Sequence, residues 1–359
     1  MRGRVREVEV HRQRCCVSPS VFAILGSWSR VAVIQPDKVW GRLGMENRFL
    51  KALRYHTRRA TAMLGIKALK ISGFYDGYFN HWRGDIFEYA ERAGFHVLPA
   101  HYYSPIPSGL DTDRTRRINS LSGINLDVDG GLNLANTLIE KYADDLKRLL
   151  SGSGQYRPTN SSFHPLDAAL AYAYIREQKP HNVIEIGAGM STFVISAAVN
   201  DGNLDTRFSS IEPFPPAYLR PKPTGVSEII ERPLQDVPLD RFKSLKSGDV
   251  LFIDSTHVVR FDSDVVYEIL EILPRLPSGV IIHVHDIFLP NDYPESWIER
   301  HRYFWNEQYM LQAFLSMNEN FRIELPVNAI RSRLSSQTKT LVHSSVSDVE
   351  PASLWMRRV

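Results

Sequence analysis

Cysteine is nearly missing from this chain of 359 residues: Cys15 and Cys16 are the only two, and they are adjacent. Neighbouring cysteines close no comfortable disulfide, and no third remains to pair with either. A disulfide framework, a cysteine-ligated zinc site and a cysteine nucleophile in the body are therefore excluded. This usage fits a reducing compartment, and a cytoplasmic location is expected. Long apolar runs are also lacking, so no transmembrane segment is expected. The stretch "VFAILGSW" (21–28) is short and has no small-residue cleavage site, while Glu7 and Glu9 count against an Arg-rich transit peptide. Acidic residues are scarce at one end only. Residues 1–70 carry 15 Lys or Arg and 4 Asp or Glu, a net of +11, whereas the remainder has 28 against 36, a net of −8. The basic end is expected to be solvated, with weak membrane-surface contact as a further use. The acidic remainder offers no nucleic-acid groove.

What is present is ordinary for a globular protein, 43% hydrophobic and 23% charged, and long enough for one large domain with extensions or for two domains. The expected division is a basic extension over 1–44, an α-rich extension over 45–155 and a main domain over 156–359. The first segment is expected to be dispensable, even an addition from an early start codon, because a better-behaved stretch begins at Met45. Apolar spacing predicts a basic amphipathic helix over 46–70. It also predicts a helix over 85–93 stopped at Gly94, a short strand over 95–99 and a helix over 132–151 ending at "SGSG". A further helix is predicted over 165–178, stopped by Pro180. The pattern then alternates. Strands are expected at 182–186, 206–211, 227–231, 249–253 and 279–284, with helical segments at 190–200, 239–246 and 262–275. This order argues for a mostly parallel sheet covered on both faces. After a helix at 306–317, "FRIELPV" and "SLWMRRV" are expected to pair antiparallel at one edge.

In an open parallel sheet, ligands lie beyond the carboxyl ends of the strands. "HNVIEIGAGMSTFVISAAV" (181–199) places Gly187 and Gly189 at such an end, followed by a helix whose first amides favour negative groups. A dinucleotide fingerprint needs a third glycine where Thr192 stands, and a phosphate loop needs a lysine that is not there. Glu185 precedes the turn. A carboxylate there can accept from the ammonium of an amino acid and would repel a pyrophosphate. Glu212, after the next strand, suits a pair of ribose hydroxyls, since one carboxylate accepts both bonds.

These features, with "VIEIGAGMST", "SSIEPFPPAYL", "GDVLFIDSTHV", "GVIIHVHDIFLPNDYP", "FWNEQYMLQAFL" and "SLWMRRV" in order, give a chain that resembles the class I S-adenosylmethionine-dependent methyltransferases. Within that class it is similar to the bacterial family called methyltransferase domain 24, from about residue 160 to the C-terminus and more loosely over 85–160. The resemblance implies a Rossmann-like methyltransferase sheet, mostly parallel with an antiparallel C-terminal edge strand, plus a mainly helical N-terminal extension. It implies that Glu185, Gly187 and Gly189 hold the methionine portion of S-adenosylmethionine and Glu212 its ribose. Gln235 and Asp236 are then placed near the adenine, and Ser191 replaces a third glycine common in the class.

Two strand ends carry the reactive side chains. "VLFIDSTHV" offers Asp254 and His257; "GVIIHVHD" offers His283, His285 and Asp286. His285 is expected to act as a general base on an acceptor hydroxyl, its ordinary pKa lying near neutrality. Alternatively Asp254, His285 and Asp286 hold a divalent metal ion, the histidine favouring a softer ion than Mg²⁺. His283 is expected to be a satisfied core histidine. Asp254 is placed beside the cofactor as well. His101, Tyr103, His257, Tyr293 and Trp305 are the candidate acceptor-binding residues, the last two within an aromatic insertion after Asp286. The expected activity is methylation, at oxygen, of a small molecule or saccharide, by a protein that could form a homodimer. The rival readings are a noncatalytic cofactor-binding partner subunit and a related metal-dependent enzyme such as a hydroxylase. A dinucleotide oxidoreductase ranks last because of Thr192 and Glu185.

Overall fold

The computed structural model describes residues 48–71, 84–96, 104–106, 118–343 and 350–359. The basic extension over 1–44, His101, Tyr103 and most of the predicted strand at 95–99 lie outside these residues. The chain divides into two compact units, Met1–Pro99 and Ala100–Val359. In the first, helix α1 spans Arg48–Ile71 and α2 spans Gly84–Arg92. Gly94 ends the α2 segment with φ +87, its N–H donating to Glu91 O at 2.9 Å while Phe95 N–H donates to Ala90 O at 3.1 Å. A residue without Cβ takes this left-handed position readily.

In the second unit, the single helix predicted over 132–151 is two, α3 (Val128–Lys141) and α4 (Ala143–Leu150). The start moves upstream because the Asp127 carboxylate caps it, accepting from Gly130 N at 3.1 Å. Gly131 lies inside α3 for a packing reason: a Cβ there would stand 2.7 Å from Pro326 Cδ. Helix α5 (Pro165–Gln178) is apolar all round and buried. His164 caps it, its Nδ1 accepting from Leu166 N at 3.0 Å, and Pro165 fills its first turn.

Seven strands follow: β1 Asn182–Ile186, β2 Arg207–Ile211, β3 Val226–Ile230, β4 Val250–Ile253, β5 Ile281–His285, β6 Phe321–Pro326 and β7 Ser353–Arg358. They form one sheet in the order β3-β2-β1-β4-β5-β7-β6. The first five are parallel. Within the expected antiparallel edge pair, β7 runs against both neighbours and lies between β5 and the outermost strand β6. Helix α6 (Met190–Asp201) crosses from β1 to β2, α7 (Asp240–Lys243) precedes β4, and α8 (Asp264–Tyr267) continues through a π turn, Glu268–Ile272. Helix α9 (Glu307–Leu315) precedes β6.

Both faces of the sheet are buried, so its strands read as continuous apolar runs. On one face Val183, Phe208, Val250, Phe252, Ile281 and Trp355 pack with α3, α4, α5 and α6. On the other, Ile184, Ile186, Leu251, Ile253, Ile282 and Met356 pack with α8 and α9. Helices α3 and α4, assigned by sequence to the N-terminal extension, thus share the core of the sheet. From β1 the chain proceeds outward to β2 and β3, then returns to the other side of β1 for β4. The switch lies between β1 and β4, where crevices in such sheets open.

Candidate active site

The strand ends at this switch are tied together step by step. Gly187 N–H donates to Ile211 O at 2.9 Å, Asp254 N–H to Ile186 O at 2.9 Å and Glu212 N–H to Ile230 O at 3.0 Å. Gly187 has φ +83, and a Cβ on it would stand 1.8 Å from the Asp254 carbonyl oxygen. Residue 187 must therefore be glycine to let β1 and β4 end side by side. Gly189 differs. Its φ is −164, and a Cβ would meet nothing closer than the Tyr218 hydroxyl at 3.9 Å. The fold does not demand a glycine at 189, and the space beside it is open.

Glu185 points inward and is fully buried. Its carboxyl accepts from the hydroxyls of Ser191, Thr192 and Ser210, each at 2.8 Å. Burial pushes its pKa up to about 8, although all three hydroxyl bonds oppose the shift. The Thr192 hydroxyl also accepts from Gly189 N–H at 3.0 Å. Thr192, read in the sequence only as a missing glycine, thus links the turn to Glu185. Ser210 has no sequence signal beyond its position on β2. Glu212 is partly buried and accepts from Phe214 N–H at 2.8 Å and Ala188 N–H at 3.3 Å. Gln235 donates to Asp262 O at 2.5 Å, while Asp236 lines a small cavity of about 240 Å³ with Ile230, Arg232, Val237 and Arg241.

On the other side of the switch, Asp254 ends β4 and Asp286 follows β5. His257 lies between them, with Nε2 3.4 Å from Asp254 Oδ1 and 3.5 Å from Asp286 Oδ2. Its other ring nitrogen, Nδ1, is 2.8 Å from Glu307 Oε2. His257 and Asp286 both have left-handed backbones, φ +60 and +54, which turn their side chains into the cluster. The His257 carbonyl accepts from Asn306 N–H at 3.1 Å and Glu307 N–H at 3.2 Å, so the start of α9 is fastened to the histidine's loop. Trp305 lies against the imidazole with ring centroids 4.4 Å apart.

The cluster is closed behind and open in front: the Glu307 side chain is 2% exposed, those of Asp254 and Asp286 22% and 13%. Burial disfavours a charged His257, but Asp254, Glu307 and Asp286 outweigh it and hold the imidazole pKa well above 6.5. Burial raises the Asp286 carboxyl to about 6 against the pull of His285 and His257. Burial also works to raise Asp254, yet the two histidines keep it below its ordinary value. Behind the cluster, fully buried Glu268 accepts from Ser255 Oγ at 3.2 Å, and burial followed by the Glu307 charge pushes its pKa well up. Glu268 was not singled out from the sequence, and Glu307 stood out there only as a member of the aromatic insertion, not as a partner of His257. Glu307 stands 50 residues from its partner, and no local pattern announces such a contact.

Among the described residues, the three side chains whose ligand atoms lie within 4.8 Å of one another are Asp254, His257 and Asp286. His285, expected in this set, stands outside it. It is 3% exposed, its ring is 4.9 Å from Phe163, and its Nε2 is 3.7 Å from Asp286 Oδ1. His283 stacks on Phe252 at 3.8 Å in the core. It is not the satisfied histidine expected, because neither ring nitrogen finds a hydrogen-bond partner among the described residues, and burial drives its pKa well down. Tyr293 is also a core residue, packed on Phe288 and Trp297, with its hydroxyl accepting from Gln308 N–H at 3.0 Å. Among the expected acceptor residues described, His257 and Trp305 lie at the cluster.

The strand order, the antiparallel β7 and the glycine turn at the β1–β4 switch define a Rossmann-like methyltransferase sheet. Residues 184–287 match the methyltransferase domain family. An uncharacterized protein of Archaeoglobus fulgidus is 31% identical over 174 residues, covering 42% of this chain and 74% of that protein. Similar solved structures include the SAH-bound methyltransferase of Podospora anserina, 18% identical with TM-score 0.36, which covers 74% of this chain and 99% of its own. An O-methyltransferase from Bacillus cereus in complex with SAH is 12% identical with TM-score 0.34, covering 65% of this chain and 99% of its own. The family match places a methyltransferase domain over residues 184–287, the segment that runs from within β1 to just past β5 and holds the glycine turn.

The two glycines should separate by experiment. Gly187→Ala is expected to lose about 3 kcal/mol or more in urea unfolding, from backbone strain plus the clash with Asp254. Gly189→Ala should keep the parent's urea midpoint; comparable losses for both would refute the distinction. Glu185 generates a pH dependence. Its folded pKa of about 8 exceeds the unfolded value of about 4.3, so between the two the folded chain keeps a proton that the unfolded chain loses. Stability contributed by this group should fall as pH rises through that window, by up to about 1.4 kcal/mol per unit. Glu185→Gln should flatten the curve, and an unchanged slope would show that another group carries it.

Proposed function

We propose that this methyltransferase moves a methyl group to an oxygen of a hydroxylated small molecule or saccharide. The single observation that carries this reading is His257, whose Nε2 lies between Asp254 and Asp286, the more exposed members of the cluster, while Glu307 holds Nδ1 at 2.8 Å. The cofactor fits the residues present. Gly189 leaves space at the turn, Glu212 offers a partly exposed carboxylate, and Glu212, Asp254 and Asp286 make the crevice favourable to a cation and hostile to a pyrophosphate. Gly187, Gly189, Ser191 and Glu212, with Gln235 and Asp236 further out, would hold it. When bound, S-adenosylmethionine supplies a methyl group on a positively charged sulfur, already activated for transfer.

The chain's own work is to orient the acceptor and to take its proton. With Nδ1–H donated to Glu307, Nε2 is the basic nitrogen, and it receives the hydroxyl proton as the acceptor oxygen gains its methyl group. While Asp254 and Asp286 face the ring alone, their charge keeps it protonated. A cation that shares those carboxylates weakens this hold, so the base is released in the loaded site. Trp305, packed on the ring, keeps it from swinging out of the cluster.

A second reading is favoured by the same distances. Ligand atoms about 2.1 Å from a tetrahedral ion stand about 3.4 Å apart, close to the 3.4 and 3.5 Å separating Nε2 from the two aspartates. One nitrogen and two carboxylate oxygens suit a borderline ion such as Zn²⁺ better than Mg²⁺. Such an ion would lower the pKa of an acceptor hydroxyl.

Titration calorimetry should show S-adenosylmethionine and its demethylated product binding and NAD failing to bind; binding of NAD alone would end this proposal. With labelled cofactor and a panel of glycosides and phenols, His257→Ala should keep cofactor affinity and lose about 100-fold or more in kcat. Glu307→Gln should lose about 10–100-fold in kcat with little change in KM for the cofactor; normal turnover in both variants would make the pair structural. Chelation decides between the two chemistries: full activity in metal-free protein leaves His257 as the base, while loss restored by Zn²⁺ or Mn²⁺ assigns it to the ion.

A further inference from the structure

Helix α1 carries a surface that the methyltransferase site does not use. Its 24 residues, RFLKALRYHTRRATAMLGIKALKI, include seven Lys or Arg and no Asp or Glu. At about 100° per residue, Leu53, Ala60, Leu64 and Ile71 fall within about 40° of one another along one side. Lys51, Arg54 and Arg58 lie together on another side, and Lys67 borders the apolar stripe from the opposite direction, with Arg59 further round. The stripe is not covered: Leu53, Leu64 and Ile71 are 53%, 68% and 85% exposed.

An apolar stripe bordered by cations, on a helix with no acid, is the pattern of a helix that lies in a lipid–water interface. We infer that α1 seats this protein on an anionic membrane surface, with the Leu53–Leu64–Ile71 stripe turned into the acyl boundary and the basic side chains on the headgroups. Three features of the helix select this occupant. A second copy of α1 would bring one acid-free helix against another, and like charges would oppose the pairing. A nucleic acid would satisfy the cations but leave the leucines in water. A transmembrane role is ruled out for this segment, because no helix among the described residues is long and apolar enough to cross a membrane. The wider sequence agrees, since the net charge of +11 is concentrated in residues 1–70 while the remainder carries −8. Anionic lipid attracts such a basic segment over about one Debye length, so the attachment should depend on salt.

The test is sedimentation of the full-length protein with vesicles of phosphatidylglycerol and phosphatidylcholine, compared with vesicles of phosphatidylcholine alone. Partitioning onto the anionic vesicles should be about tenfold stronger or more at low ionic strength, and should fall as salt is added. The double variant Leu53→Glu/Leu64→Glu should lose about tenfold or more in partitioning while keeping the parent's circular dichroism and melting curve. The double variant Arg59→Gln/Lys67→Gln should lose much of the preference for anionic lipid. Three results would overturn the inference: equal or absent partitioning on the two vesicle types, undiminished binding by a folded leucine variant, or retention on a DNA duplex by protein that ignores both vesicles.

Discussion

The turn after β1 exists because residue 187 has no side chain. The Asp254 carbonyl occupies the space a Cβ would need, and the Asp254 amide is bonded to Ile186. That contact brings the ends of β1 and β4 to one level at the point where the sheet reverses its direction of growth. Everything functional is measured from it. On one side the chain runs through Gly189 into α6, with Glu185 pinning the turn through three hydroxyls. On the other, Asp254 begins the loop whose left-handed residue His257 turns back toward Asp286. Were the two strands staggered by one residue, side chains that now face the crevice would face the core.

The second organising feature is negative charge held at low exposure. Glu185, Glu212, Asp254 and Asp286 gather at four strand ends, with Glu268 on the π turn and Glu307 at the start of α9. Burial disfavours ionisation of Glu185, Glu268 and Asp286. The protein answers in two ways: by protonation, in the raised pKa values of Glu185 and Glu268, and by a histidine held positive among three acids. A site built this way attracts cations. A sulfonium cofactor and a divalent metal ion both suit it, and a pyrophosphate does not.

Much of this architecture was legible in the chain. Strand β1 and helix α5 fall where apolar runs and a flanking proline place them, because both are buried on all sides and their patterns are uninterrupted. The single helix expected over 132–151 divides at Tyr142 and begins earlier, at an Asp127 cap masked by two glycines, Gly130 against the capping carboxylate and Gly131 against Pro326. The antiparallel pairing of the last two segments was also legible, whereas the insertion of β7 between β5 and β6 depends on which edge was free when the parallel strands had paired. In the site, the acids at strand ends stood out by position. The partner of His257 did not, because Glu307 reaches it through a fold-level contact rather than a spacing.

By itself the sequence determined the order of strands and helices, the glycine turn and the resemblance to a methyltransferase domain, since these follow from local periodicity, backbone permissiveness and motifs in line. It also set the charge asymmetry and the amphipathic pattern of α1, which need no partner to be written. Only the tertiary structure decided which histidine stands between the aspartates. The sequence pointed to His285, and offered His257 only as an acceptor-binding residue. Strand β5 carries His285 into contact with Phe163, whereas a left-handed backbone at His257, fastened to the start of α9, delivers its ring to Asp254, Asp286 and Glu307. Side-chain direction at a strand end is set by one dihedral angle and by the neighbours that hold it, and neither is written in the spacing of residues.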